Sequence, residues 1–308
     1  MSDTRSDTRR EFLKAAAVAP LIAAASISGA QPTQAAKPAD EAPLPDPKYT
    51  LAINLEIMYP GSMPYEERLR DAVKCGAKHY AFWSWQGKNL DKLLEIQHKH
   101  DLICVSITGN PKTGWGSGLT KTGDEQAFLD DFEECCRIAN RFGTQNLITF
   151  VGAVQKDIPA EVQRAQIIAG LKKAGDIAQK YKVYLTLEPL NRVESPEMSM
   201  LTAREAYDYV IGAAHPHIKV DYDLYHRQLG EGNVINNLKE GIEKEYIRFI
   251  EVGDVPGRKE PGSGETNYVN IFKTLRRLGY AGYIGMEHGT TRTPQYAWDV
   301  TRRIAGLV

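Results

Sequence analysis

Eight short apolar runs recur along this chain, and between them the apolar spacing changes from the period of a strand to that of a helix. This alternation restricts the fold more than any single motif does. The runs are LAINLEI, KHYAFW, LICVSIT, QNLITFV, VYLTLE, HIKVDYD, YIRFIEV and YIGMEH. They are short, rich in β-branched or aromatic residues and bounded by breakers, as expected of parallel strands buried on both faces. After them come PYEERLRDAVKCG, NLDKLLEIQHKH, DEQAFLDDFEECCRIANRFG, IPAEVQRAQIIAGLKKAGDIAQKY, TAREAYDYVIGAA, VINNLKEGIEKE, YVNIFKTLRRLG and TPQYAWDVTRRIAGLV, each with helical spacing. Asp124 and Thr202 stand where helix N-caps are expected, and Gly76, Gly143 and Gly279 where helices end. Eight β/α units in about 260 residues have the count and size of a (β/α)8 TIM barrel. An open doubly wound sheet also alternates, but no GxGxxG turn follows the first strand.

Residues 1–36 differ in kind. TRREFLK places paired arginines directly before the apolar stretch AAAVAPLIAAASISGA, and small residues follow at AAK. The run is too short and too Ala-rich for a stable membrane span, so the segment is expected to be a twin-arginine export signal cleaved near Ala36. That route exports proteins already folded, to a periplasm or beyond. Residues 37–48, KPADEAPLPDPK, read as a linker, and 49–308 as the barrel.

The net charge of −1 gives no field that would recruit nucleic acid or an anionic membrane, which leaves a small molecule as the expected partner. Homo-oligomerisation stays open. Cys75, Cys104, Cys135 and Cys136 form no CxxC pair and have no histidine at zinc-ligand spacing, so they read as small buried hydrophobes.

In a barrel the C-terminal strand ends share one mouth, where chemistry is carried. Strand five ends in Glu188, six in Asp223, seven in Glu251 and eight in Glu287. One such carboxylate simply marks an exit to solvent, whereas four on consecutive strands repel unless a cation joins them. All-oxygen donors point to a hard divalent ion, Mg²⁺ or Mn²⁺. The loop GNPKTGWGSGLTKTGD after strand three carries Trp115 and reads as a flexible cover.

The stretches LEPLNRVE, DYDLYHRQLGEGN, EVGDVPGRKEPGSGETNY and GYAGYIGMEH resemble the hydroxypyruvate isomerases of the xylose isomerase-like barrel superfamily, which also holds ketose 3-epimerases. The resemblance runs from about Tyr49 onward and is most specific from Glu188 to His288. It implies that Glu188, Asp223, Glu251 and Glu287 bind metal, that Glu188 and Glu287 are also the acid/base pair, and that Glu194, His226 and Arg258 contact substrate. It implies an isomerase that interconverts a hydroxy-ketone and a hydroxy-aldehyde through an enediolate. An exported ketose 3-epimerase or lyase acting on a keto-sugar begins with the same proton abstraction. A non-catalytic sugar-binding barrel is a further alternative; the histidine-rich zinc chemistry of the endonuclease branch is not matched.

From the residues alone, Arg258 suits a substrate carboxylate or an ion pair with Glu260, and His226 a substrate oxygen or a satisfied buried site. The chain departs from the pattern at Glu251, where the hydroxypyruvate isomerases carry glutamine and the epimerases histidine. It departs again at Ala81, where a glutamate is usual, and Phe82, Trp83 and Trp85 follow it. Those aromatics either stack on a sugar or pack in the core.

Overall fold

The computed structural model describes residues 43–308; the expected export signal and the first half of the linker lie outside them. The strands are β1 (Thr50–Asn54), β2 (His79–Ala81), β3 (Ile103–Thr108), β4 (Asn146–Thr149), β5 (Tyr184–Leu187), β6 (Ile218–Asp223), β7 (Ile247–Val252) and β8 (Tyr283–Met286). They pair in parallel, in sequence order, and β8 closes on β1 through Thr50↔Tyr283 to Ile53↔Met286. Closure satisfies every edge, and the expected TIM barrel is the observed one.

The helices among the described residues are α1 (Tyr65–Lys74), α2 (Leu90–Lys99), α3 (Glu125–Phe142), α4 (Ala160–Tyr181), α5 (Ala203–Ala213), α6 (Leu224–Gly230), α7 (Val234–Glu243), α8 (Tyr268–Arg277) and α9 (Pro294–Ala305). Helix α6, in the segment after strand six, was not among the expected helices. Asp223 starts it by accepting the Tyr225 backbone N–H at 2.9 Å. Thr202 caps α5 as expected, in a reciprocal capping box with Glu205. Asp124 stands before α3 without capping it, because its carboxylate accepts the Ser117 hydroxyl instead. Gly143 takes the left-handed conformation that ends α3 (φ 69°).

Strand alternation sorts side chains into two cores. Outward residues such as Leu51, Ile53, Leu147, Leu185, Val220 and Ile284 pack under the helices. Inward residues, among them Ala52, Ala81, Val105, Ile148 and Phe249, fill the lumen. Ala81 is therefore a lumen-filling residue. The four cysteines are all free and buried, as expected. No helix of the described residues is long and apolar enough to cross a membrane.

Candidate active site

Four carboxylates come together at the C-terminal mouth of the barrel. Asp223 is the last residue of β6 and Glu251 lies one residue before the end of β7; Glu188 and Glu287 directly follow β5 and β8. Each offers an oxygen, those atoms all lie within 4.8 Å of one another, and all four residues are buried. They border a cavity of about 300 Å³ lined by Trp83, Ser84, Thr108, Pro111, Trp115, Ile148, Phe150, Glu188, Leu190, Glu194, Ser195, His226, Arg258 and Glu287.

Crowding and burial set the charges. Burial, reinforced by the neighbouring carboxylates, pushes Glu188 and Glu251 well above the usual carboxylate range. It also raises Asp223 and Glu287, the latter up to about 7, although the Arg258 guanidinium works against both shifts. Burial alone would make Arg258 easier to neutralise, but Glu287, Asp223, Glu188 and Glu251 outweigh it and hold its charge more firmly.

Arg258 reaches into this cluster. Its Nη2 donates to Asp223 Oδ2 at 2.9 Å and to Glu287 Oε2, and its Nε donates to the Glu287 carbonyl at 3.3 Å. The ion pair with Glu260, one of the two sequence-based readings, does not form; Glu260 instead accepts the N–H and hydroxyl of Thr291. The loop that delivers Arg258 is built around the buried Asp254, which accepts the backbone N–H groups of Val255, Gly262, Gly264 and Thr266 at 2.8–3.0 Å.

His226, on α6, lies with Nε2 3.5 Å from Glu188 and 3.4 Å from Asp223. Its Nδ1 is 2.7 Å from Asn191 Nδ2. Asn191 accepts the Val193 and Glu194 amides through its oxygen, which fixes its NH₂ as donor to Nδ1 and leaves the His226 proton on Nε2, facing the carboxylates. Burial, with Arg258 and Arg227 adding to it, keeps the ring neutral. Glu194 is held by Asn191 at 3.0 Å and by the Tyr225 hydroxyl at 2.6 Å.

Two contributors, Asp221 and Arg227, were not singled out from sequence, and a third, Trp83, was read there only as stacking on a sugar or packing in the core. Asp221, two residues before Asp223 and on the same strand face, is fully buried against Glu251, with no N–H or hydroxyl donor for either oxygen and that neighbouring carboxyl as its one polar contact. Arg227 is fully buried and staples the segment after Glu188 by donating to the carbonyls of Pro189, Leu190 and Leu201. Trp83 donates its indole N–H to Glu287 Oε1. Its own backbone N–H is held at 2.8 Å by Glu56, which forms a buried ion pair with Lys88 (3.0 Å). Of the aromatic residues after Ala81, then, Trp83 serves the site, whereas Phe82 lies in the outer core and Trp85 packs against it.

The loop read as a flexible cover is firmly tied. Asp131 accepts the Lys112 and Thr113 amides at 2.9 and 3.0 Å, and Asn110 exchanges hydrogen bonds with the Phe150 backbone. Leu119 donates its backbone N–H to the Val151 carbonyl and Ala153 donates back to the Gly116 carbonyl, each at 2.8 Å. A Cβ at Gly118 or Gly152 would stand under 3 Å from that segment's backbone, so the approach requires glycine at both positions.

The donor set suits a hard divalent cation. Both Glu251 oxygens are buried without a hydrogen-bond partner, and all four converging groups are carboxylates. Gly285 on β8 leaves the space that Glu251 occupies: a Cβ there would lie 3.0 Å from Glu251 Oε1.

The model of the xylose isomerase-like TIM barrel family matches residues 69–303. The chain is 25% identical over 246 residues to the hydroxypyruvate isomerase of Escherichia coli, covering 79% of this chain and 94% of that protein. It is 31% identical over 242 residues to the 2-oxo-tetronate isomerase of Cupriavidus necator, covering 77% and 91%. A crystal structure described as an AP endonuclease of family 2 from Brucella melitensis superposes with a TM-score of 0.73 at 23% identity, over 80% of this chain and 95% of that one. The E. coli 3-keto-D-glucoside 4-epimerase superposes with a TM-score of 0.69 at 18% identity, over 84% and 100%; at these identities the likeness is one of fold. With most of its barrel matched, this chain belongs to the xylose isomerase-like TIM barrel family.

Proposed function

We propose that the protein is a divalent-metal-dependent isomerase that moves a proton between the two carbons of a small hydroxy-carbonyl compound. The observation that carries this reading is the convergence of Glu188, Asp223, Glu251 and Glu287 within 4.8 Å, buried, with no N–H or hydroxyl donor on the Glu251 carboxylate and only the Asp221 carboxyl beside it. Those four would hold Mg²⁺ or Mn²⁺, which when bound supplies positive charge to polarise the carbonyl and offset the charge of an enediolate.

The protein's own groups divide the proton chemistry. Glu287 receives N–H donors from Trp83, Asn54 and Arg258, which favour its ionised form and suit it as base. Glu188 has no comparable donor set and is raised by burial, which suits it as acid. Glu287 takes the proton from the hydroxyl-bearing carbon, and the electron pair forms the C=C bond of the enediolate. Glu188 returns a proton to the former carbonyl carbon, while the hydroxyl proton passes to the other oxygen; no external oxidant is needed. Neutral His226 donates Nε2–H to a substrate oxygen, and Glu194 accepts a hydroxyl. Arg258 binds the substrate with the part of its fork not given to Asp223 and Glu287.

The relatives' names make hydroxypyruvate and 2-oxo-tetronate the first compounds to assay, and the TRREFLK segment supports export of the folded enzyme by the twin-arginine route. The test is turnover in D₂O by Mn²⁺- or Mg²⁺-loaded protein. Solvent deuterium should enter the substrate beside the carbonyl, and Glu188→Gln and Glu287→Gln should each lower the rate by about 10²–10⁴. Unchanged rates in both variants would refute the assignment. Turnover of keto-sugars but not of the two acids would leave an epimerase or lyase.

A further inference from the structure

The side of Glu287 that faces β1 and β2 is organised by a group outside the cavity wall. Two N–H donors meet on Glu287 Oε1: the Trp83 indole, and the Asn54 amide at 3.4 Å. Both lead back to Glu56, two residues beyond the end of β1. Its backbone N–H donates to Asn54 Oδ1 at 2.8 Å, which turns the Asn54 NH₂ toward Glu287. Its side-chain Oε1 accepts the Trp83 backbone N–H at 2.8 Å.

Glu56 is paired and fixed. Lys88 Nζ lies 3.0 Å from the same Oε1, the Lys88 and Glu56 side chains are only 5% and 8% exposed, and Lys88 also donates to the Ser84 carbonyl. The pair therefore grips the Trp83–Ser84 segment at an N–H and at a carbonyl, just before the exposed Gln86 and Gly87. The Tyr65 hydroxyl donates to Glu56 Oε2, and Arg68 donates to the carbonyls of Leu55 and Glu56 at 2.8 and 3.2 Å. Beyond that grip, the Trp83 backbone is tied by the Thr108 N–H on its carbonyl, at 3.3 Å. A buried ion pair stabilises a fold little more than an apolar pair of its size would. What this one contributes is the place of the indole, and misplacing a group that orients a reacting one by about 1 Å slows a reaction up to about a hundredfold.

We propose that Glu56, charge-balanced by Lys88, is a positioning residue for the base: it sets the N–H donors of Glu287 Oε1 and so holds that carboxylate toward the substrate C–H. This rests on the proton-transfer reading above and adds to it a residue that touches neither substrate nor cation.

The test replaces the pair as a unit in the Mg²⁺-loaded full chain, so that no buried charge is stranded. Glu56→Leu with Lys88→Met removes the grip, and Glu56→Gln with Lys88→Met returns an oxygen to the Trp83 N–H without the charges. Indole ¹⁵N–¹H spectra read the geometry: the chain has four tryptophans, and the Trp83 signal is the one missing from Trp83→Phe. That signal should move upfield in the leucine pair and return toward its wild-type position in the glutamine pair. Tyr65→Phe, which frees Glu56 Oε2 and spares the packing, should move it the same way by less. In turnover of hydroxypyruvate or 2-oxo-tetronate the leucine pair should lose about tenfold in kcat with KM within about threefold, and the glutamine pair should recover most of the loss. Added to Trp83→Phe, the leucine pair should cost no more than about twofold, because the indole it acts through is gone. An unmoved Trp83 signal in the leucine pair and in Tyr65→Phe, a full tenfold loss on top of Trp83→Phe, or a raised KM at unchanged kcat overturns the proposal. The spectra need no substrate, which separates it from the functional reading. A Glu56-dependent indole signal with no turnover of any hydroxy-carbonyl compound sinks the reaction, and turnover with a Glu56-independent signal sinks the positioning role.

Discussion

Gly285→Ala tests whether Glu251 is a metal ligand without touching a carboxylate. The new methyl group would lie 3.0 Å from Glu251 Oε1, 3.1 Å from Phe249 Cζ and 3.2 Å from Glu251 Cγ, so the Glu251 side chain must retreat by a few tenths of an ångström. Phe249 belongs to the packed lumen and the backbone of β8 is paired on both sides, so the acidic side chain is the part that gives. Ligand distances around a small hard cation are tolerated only within about 0.2 Å. The expected result is Mn²⁺ and Mg²⁺ binding weaker by about tenfold to a hundredfold, or roughly 1.4–2.8 kcal/mol. The overpacked metal-free fold should lose about 1–3 kcal/mol separately. Isothermal titration calorimetry reads the first quantity, and urea unfolding in chelator reads the second. Metal affinity within twofold of wild type, in a protein shown to be overpacked by its unfolding midpoint, would refute the assignment of Glu251.

The same cluster sets a pH dependence. By about pH 7.5, His226 and His288, both lowered by burial, are almost wholly neutral folded or unfolded, which leaves the carboxyls to govern the slope from there upward. A carboxyl raised in the fold stabilises it below the unfolded value, and that contribution is lost as pH rises through the folded one. Metal-free stability should therefore fall as pH rises above about 7.5, where the raised carboxyls still hold protons in the fold, by up to about 1.4 kcal/mol per pH unit for each proton retained. Saturating Mn²⁺ should flatten the fall, and a metal-free curve that rises over that range would contradict it. Trp83→Phe removes the indole donor that favours ionised Glu287, so kcat should drop about tenfold or more and the acidic limb of the pH–rate profile should move to higher pH, with KM little changed. An unmoved profile would show that Trp83 only fills space. Asp254→Ala leaves four backbone amides without their acceptor, those of Val255 and Thr266 buried, and should cost about 2 kcal/mol or more in urea unfolding; a loss under about 1 kcal/mol would show that the Arg258 loop has other support.

The barrel was legible because its signal is periodic and repeated: each strand ends within a few residues of its apolar run, and closure follows from eight such units. The four carboxylates were legible because strand ends converge in that fold. Asp221 carried a signal too, since residues two apart on a strand share a face and DYD places a second acid inward, although nothing local says it will be buried without a partner. Arg227 reads as a solvated charge in LYHRQLG, and only the carbonyls brought by the segment after Glu188 make it a staple. Helix α6 is too short to show a period, and its start depends on a carboxylate that sequence assigns to the site. The stiffness of the Trp115 loop comes from Asp131, on a helix later in the chain, and no loop-composition argument reaches that far.

The cavity wall divides along the chain. Every lining residue up to Phe150 comes from the β2, β3 and β4 ends and carries no ionisable side chain, whereas every one from Glu188 onward comes from the β5 to β8 ends and includes all the acids and bases. Apart from the Trp83 indole on Glu287, the proton-transfer groups thus lie in the second half of the gene and most of the apolar wall in the first. A library confined to the cavity-lining residues among 84–150 would therefore diversify the apolar wall while leaving Trp83 and the proton-transfer groups in place.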